Sequence, residues 1–137
     1  MTCPIRVVIF GGRDLDPIKV RNWLIANARH RIAEHLGVLA CEFTYEAIIE
    51  GGMTGADHGA ELFEATLPGR TEGRHMQFKA DWNRYGRSAG PKRNRQMIRD
   101  ALPDLGIAFP GHDGTADMLS AMNDAGIPVL RIEGDFK

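Results

Sequence analysis

Apolar and polar positions along the chain change period several times, and the changes outline its elements. IRVVIF, Ile5 to Phe10, is a largely β-branched run, the pattern of a strand covered on both faces. From Asp16-Pro17, an N-cap followed by proline at the first helical position, Val20, Trp23, Leu24, Ala28, Ile32 and Leu36 recur at helical spacing, and Gly37 stops the helix. VLACEFTY is ambiguous. YEAIIE, Tyr45 to Glu50, is a second strand, and Ala56, Ala60, Phe63 and Leu67 form one face of a second helix closed by Pro68-Gly69.

HMQFKA, His75 to Ala80, sets Met76, Phe78 and Ala80 against His75, Gln77 and Lys79. That alternation predicts a less buried strand at a sheet edge. DWNRYGRSAG reads as a loop. Gly90-Pro91 opens a helix with Asn94, Met97, Ile98 and Ala101 on one face, and DLGIAF is a fourth, buried strand. Thr115 to Ala125 forms the next helix, with Met118, Leu119 and Met122 inward; Gly126 ends it and IPVLRI is the last strand.

Strands that alternate with helices make parallel βαβ units. The prediction is a single α/β domain over residues 1–137: an open parallel sheet of about five strands, order 3-2-1-4-5, with helices on both faces. Strands one and four lie at its centre.

Composition changes this picture little. With 43% apolar and 26% charged residues the chain is an ordinary globule, and its net charge of −1 supplies no global field toward nucleic acid or membrane. Cys3 and Cys41 make neither a disulfide framework nor a zinc pattern. No apolar stretch nears 18 residues and no basic-then-apolar leader is present, so the expectation is a cytoplasmic protein without a membrane span. His30 and His35 miss the i, i+4 spacing of zinc pairs, and His58 and His112 merely adjoin aspartates; no metal is expected.

The candidate chemistry lies at three glycine-rich junctions. GGRD (Gly11, Gly12, Arg13, Asp14) follows the first strand, GGMTGAD (with Gly51, Gly52, Thr54, Gly55 and Asp57) the second, and PGHDGTAD (with Pro110, Gly111, Gly114, Thr115 and Asp117) the fourth. In an open sheet of this order all three share the rim where ligands bind, between strands one and four. Glycine lets backbone N–H groups approach a phosphate, and each junction leads into a helix whose first N–H groups are unpaired. Thr115 is suited to cap its helix and to offer a hydroxyl to a phosphate oxygen. Neither GxxxxGK[ST] nor GxGxxG is present, so NTP hydrolysis, dinucleotide dehydrogenation and a bound cofactor have no support.

Between Asp81 and Asp100 lie six cations (Arg84, Arg87, Lys92, Arg93, Arg95, Arg99) and no acid. Arg95 and Arg99 share a solvated face. Arg93, in the first turn after Gly90-Pro91, reaches back toward the rim, where a bidentate grip on phosphate suits it, with Arg87 as a second clamp. Trp82 and Tyr85 either stack on a base or pin their loop to the core. Asp14, Asp57 and Asp117 fall near helix starts and either cap them or meet ribose hydroxyls; Asp117 has the further option of assisting cleavage of a ribosyl bond.

The GGRD, GGMTGAD, ADWNRYGRSAGPKRNRQM, PDLGIAFPGHDGTADM and AGIPV segments together resemble the YspA-like group of the SLOG superfamily, from about Arg6 to Val129. The resemblance implies a Rossmann-like fold that binds a phosphorylated nucleotide or nucleotide-derived ligand, often as a sensor, with Gly90 and Asn94 inside the most specific block. Related LOG-type proteins hydrolyse nucleoside 5′-monophosphates at the N-glycosidic bond. By that likeness Arg93 matches the catalytic arginine and Asp117 the first acid of GT.EE; Met118 replaces the second acid and Asn94 a lysine. LOG relatives also imply a homodimer. A DNA-processing relative holds single-stranded DNA, which ranks third here because the cationic lobe is local.

Overall fold

The computed structural model of the chain describes residues 2–69 and 71–137. Five strands, β1 (Cys3–Phe10), β2 (Phe43–Glu50), β3 (His75–Gln77), β4 (Leu105–Ala108) and β5 (Val129–Arg131), pair in parallel in the order β3-β2-β1-β4-β5. The α/β class and the strand order are those expected from the periodicity.

Alternation along β1 decides which helix packs where. Ile5, Val7 and Ile9 face one side and meet α1 (Pro17–Trp23), α2 (Arg29–Leu36) and α3 (Ala56–Thr66) through Val20, Ile32, Ala60 and Phe63. Val8 and Phe10 face the other and meet α5 (Ala89–Ala101) and α6 (Asp113–Asp124) through Met97, Ala101, Met118 and Met122. Burying β1 on both faces is what its β-branched run allows. Arg6, the charged residue inside it, donates from Nε to the Ala101 carbonyl at 2.6 Å and so ties the end of α5 to the sheet.

Several boundaries differ from expectation. The helix after Asp16 runs through a π-helical turn, Leu24–Ala28, between α1 and α2, and Leu36 is 39% exposed rather than on the apolar face. VLACEFTY divides into a 3₁₀ turn, Ala40–Glu42, and the first residues of β2. Only three residues of the alternating HMQFKA segment pair as strand, and the Phe78 N–H on the Glu50 carbonyl is the next tie to β2 beyond them. The segment read as a loop contains α4 (Trp82–Tyr85), with Asp81 as its N-cap, and the 3₁₀ turn Gly86–Ser88.

The last residues return to the sheet. Phe136 is buried edge-on against Phe109, ring centroids 5.0 Å apart, and its carbonyl accepts the Asp16 N–H at 2.7 Å.

Candidate functional site

In the order β3-β2-β1-β4-β5, β1 and β4 are the adjacent strands whose following helices leave on opposite faces, which opens a crevice beyond their carboxyl ends. A cavity of about 510 Å³ occupies it. Of the residues expected there, Gly11, Gly12, Arg13, Asp57, Trp82, Arg87, Gly90, Arg93, Asn94, Gly114, Thr115 and Asp117 line this cavity.

Asp14, Gly51, Gly52, Thr54, Gly55, Pro110 and Gly111 do not line it, and the reason is physical: the glycine elbows spend much of their hydrogen bonding on one another. The Gly12 N–H bonds to the Pro110 carbonyl at 2.9 Å, the Ala56 N–H to the Gly12 carbonyl at 3.1 Å, and the Thr54 hydroxyl to the Arg13 carbonyl at 2.8 Å. Gly55, at φ 72°, sits so close that a Cβ there would lie 2.2 Å from the Gly12 carbonyl oxygen. Gly111 lacks a Cβ for the same kind of reason, since one would fall 2.0 Å from the Thr115 hydroxyl. The Asp14 carboxylate turns to His112 and Lys137, at 3.5 and 3.6 Å. These positions build the rim without facing its interior.

Cap roles also differ. The N-cap of α1 is Asp16, α3 starts after Gly55 and α6 after His112, so Asp14, Asp57 and Asp117 are not caps, and Thr115 is the third residue of α6. Pro91 is likewise the third residue of α5. His112 supplies no side-chain cap, so the first turn of α6 keeps amides without an intrahelical partner, and its residues Asp113, Gly114 and Thr115 line the cavity.

Arg93 is half-buried and reaches across the crevice. Its Nη1 donates to the Gly51 carbonyl and its Nε to the Asn94 side-chain oxygen at 3.0 Å. Burial pushes its guanidinium down from the ordinary value, opposed by the charges of Asp57 and Glu50, and it stays a cation. Asp57 is 6% exposed and accepts the Met53 N–H at 3.2 Å; burial pushes its carboxyl up to about 6 against the pull of Arg93 and that N–H. Buried Asn94 donates to Asp117 at 3.0 Å, so one amide links Arg93 to Asp117. Arg95 is exposed, as expected of a solvated face, and there pairs with Asp117 at 2.7 Å. Against the cost of partial burial, Arg95 and Asn94 hold Asp117 below the usual carboxylate value.

Arg13 and Arg87 make no ion pair among the described residues and both line the cavity. Trp82 lies against Gly90 at the start of α5 with 45% of its surface exposed, and Tyr85 carries Arg84 and Lys92 over its ring at 5.0 Å each. The sequence reading missed the apolar wall, Phe10, Met53, Met97 and Met118, together with Pro91, His112 and Asp113. Met97 and Met118 carried the right signal, since both were placed on inward faces; the cavity is continuous with the core beneath it.

Asp57 makes stability depend on pH. In the folded chain it holds its proton to about pH 6, against 3.8 for the ordinary carboxyl. The folded state therefore binds more protons across that window. The contribution is full below about pH 4 and is lost as pH rises through about 6, amounting to about 3 kcal/mol. Urea unfolding across this range is expected to show that slope for the wild type and to lack it for Asp57→Asn.

An open, all-parallel α/β sheet of this strand order, with a cavity beyond the carboxyl ends of β1 and β4, is a Rossmann-like domain. The chain is 36% identical over 88 residues to the Gene 61 protein of Mycobacterium phage D29, a match spanning 61% of this chain and 68% of that protein. It belongs to that protein's family. No protein-family model matches it. Among solved structures, a Listeria monocytogenes chain provisionally described as a UDP-N-acetylglucosamine 2-epimerase is similar at 13% identity and a TM-score of 0.49; the match covers 98% of this chain but only 31% of that one. Among the described residues no helix is long and apolar enough to cross a membrane.

Proposed function

We propose that the chain is a SLOG-type domain that binds a phosphorylated nucleotide or nucleotide-derived ligand in the crevice beyond β1 and β4, in the role of a sensor. The observation that carries this reading is that Arg93 and the first turn of α6, which has no side-chain cap, line the same cavity. A guanidinium and a helix N-terminus facing one space are complementary to phosphate oxygens. Arg13 and Arg87, free of carboxylate partners among the described residues, add charge at the mouth. A volume of about 510 Å³ suits a ligand of nucleotide size. Trp82 offers a face for a base, and Asp57 or Asp117 an acceptor for ribose hydroxyls.

Thermal-shift titration with nucleoside monophosphates and ADP-ribose tests this. A rise in melting temperature at millimolar ligand is expected, and a flat response across the panel sinks the reading.

The second reading is cleavage of the N-glycosidic bond, favoured by the ionised Asp117 that Asn94 couples to Arg93. Under it, free base accumulates from a nucleoside monophosphate, and Asp117→Asn stops the release while leaving affinity unchanged. Binding without release leaves the sensor reading alone.

A further inference from the structure

Outside the residues that line the cavity, three side chains from different elements meet. Glu50 ends β2, His75 begins β3 and Glu61 lies on α3, and one ligand atom from each falls within 4.8 Å of the others. None is exposed, and Glu50 is only 1% exposed. The two carboxylates approach each other, Glu50 buried and Glu61 with 41% of its side chain in solvent, although like charges at that range repel. Among the described residues neither makes an ion pair with a lysine or arginine; their charged neighbours within reach are imidazoles, His75 on Glu50 at 2.6 Å and His58 on Glu61 at 3.0 Å. Arg93 acts on Glu50 only at longer range and is committed to Gly51 and Asn94.

We propose that Glu50, Glu61 and His75 form a binding site for a divalent first-row transition metal, with Zn²⁺ as the fitting probe. The donor set of two carboxylates and one imidazole is one such cations accept. Tetrahedral Zn²⁺ holds its ligand atoms about 3.4 Å apart. The present spread, from 2.6 Å for the closest pair to at most 4.8 Å, brackets that spacing, so side-chain adjustment suffices. The Glu50–His75 hydrogen bond opens as the metal enters, and any proton held there is released to solvent. Gln77, which donates to Glu50 at 2.9 Å, and His58, which touches Glu61, orient the two carboxylates. The other Glu50 oxygen keeps the Gly52 N–H at 2.5 Å, so the metal fastens the turn from which Arg93 hangs.

The test is calorimetric titration of Zn²⁺ into the full chain freed of metal, in a Cys3→Ser/Cys41→Ser background because both thiols are exposed. One saturable equivalent is expected. His75→Ala and Glu61→Gln should each weaken it by roughly tenfold or more, and His30→Ala should leave it unchanged. If His75→Ala does not fold, Glu61→Gln, half-buried on the outside of α3, carries the comparison. No saturable binding at about 100 μM Zn²⁺, a range well above that of protein zinc sites, overturns the proposal. So does a titration that Glu61→Gln leaves unchanged.

Discussion

Arg93→Ala is expected to weaken binding of a phosphorylated nucleotide by at least about thirtyfold, the usual result of truncating a hydrogen-bonded charge inside an interface. The same substitution strips Asp57 of the cation facing it. An ionised carboxylate that is 6% exposed then has only the Met53 N–H and nearby backbone to offset its burial, so stability should fall by about 3 kcal/mol at neutral pH. The sign of the pH dependence follows. Removing the cation raises the Asp57 carboxyl beyond its present value of about 6, so the variant should recover stability on acidification, down to where Asp57 is protonated. Equilibrium binding and urea unfolding at pH 5 and pH 8 check both parts. Arg93→Lys keeps the charge but loses the planar fork, and should fall between wild type and Ala.

Gly55→Ala is expected to be the most disruptive single-methyl change in the chain. Gly55 precedes α3 with φ 72° and ψ −123°, backbone space nearly closed to other residues, and an added Cβ would lie 2.2 Å from the Gly12 carbonyl oxygen and 2.7 Å from the Arg13 Cα. All the opposing atoms are backbone, held by the Ala56-to-Gly12 and Thr54-to-Arg13 hydrogen bonds, so no side chain can swing aside. Backbone strain and overpacking together amount to about 4 kcal/mol, which corresponds to a melting temperature lower by roughly 10 °C or more. Thermal unfolding by circular dichroism reads this directly. A melting temperature within a few degrees of wild type would mean that the β1 and β2 junctions do not interlock as described.

The fold was readable because each element declares its period. β1 and β4 are apolar on both faces, α1 and α3 carry their stripes, and the junctions between them hold the glycines that sharp strand-to-helix turns require. Which rim residues face the ligand space was harder to read. Gly55 and Gly111 look like phosphate glycines in sequence, yet they serve contact between loops, and only the packing of Gly12 against Pro110 reveals that. The Arg95–Asp117 pair joins α5 to α6 and depends on how those helices lie side by side. His75 illustrates the same limit. Local spacing gave no metal pattern, because its neighbours Glu50 and Glu61 come from another strand and from a helix, and no fixed interval connects them. The apolar wall of the cavity, Met97 and Met118, was taken for core because it is core on one side and cavity lining on the other.

The placing of β1 bears on how the chain comes off the ribosome. It is made well before one of its two hydrogen-bonded neighbours, β4, which begins at Leu105. Between the synthesis of β2 and that of β4, the β2 side of β1 has a partner in reach while the other side shows bare amides beside valine and isoleucine. Such an edge recruits foreign strands. The nascent protein thus passes through a sticky half-sheet whose lifetime is set by translation rate, and slowing elongation ahead of the β4 codons should raise its demand for chaperones.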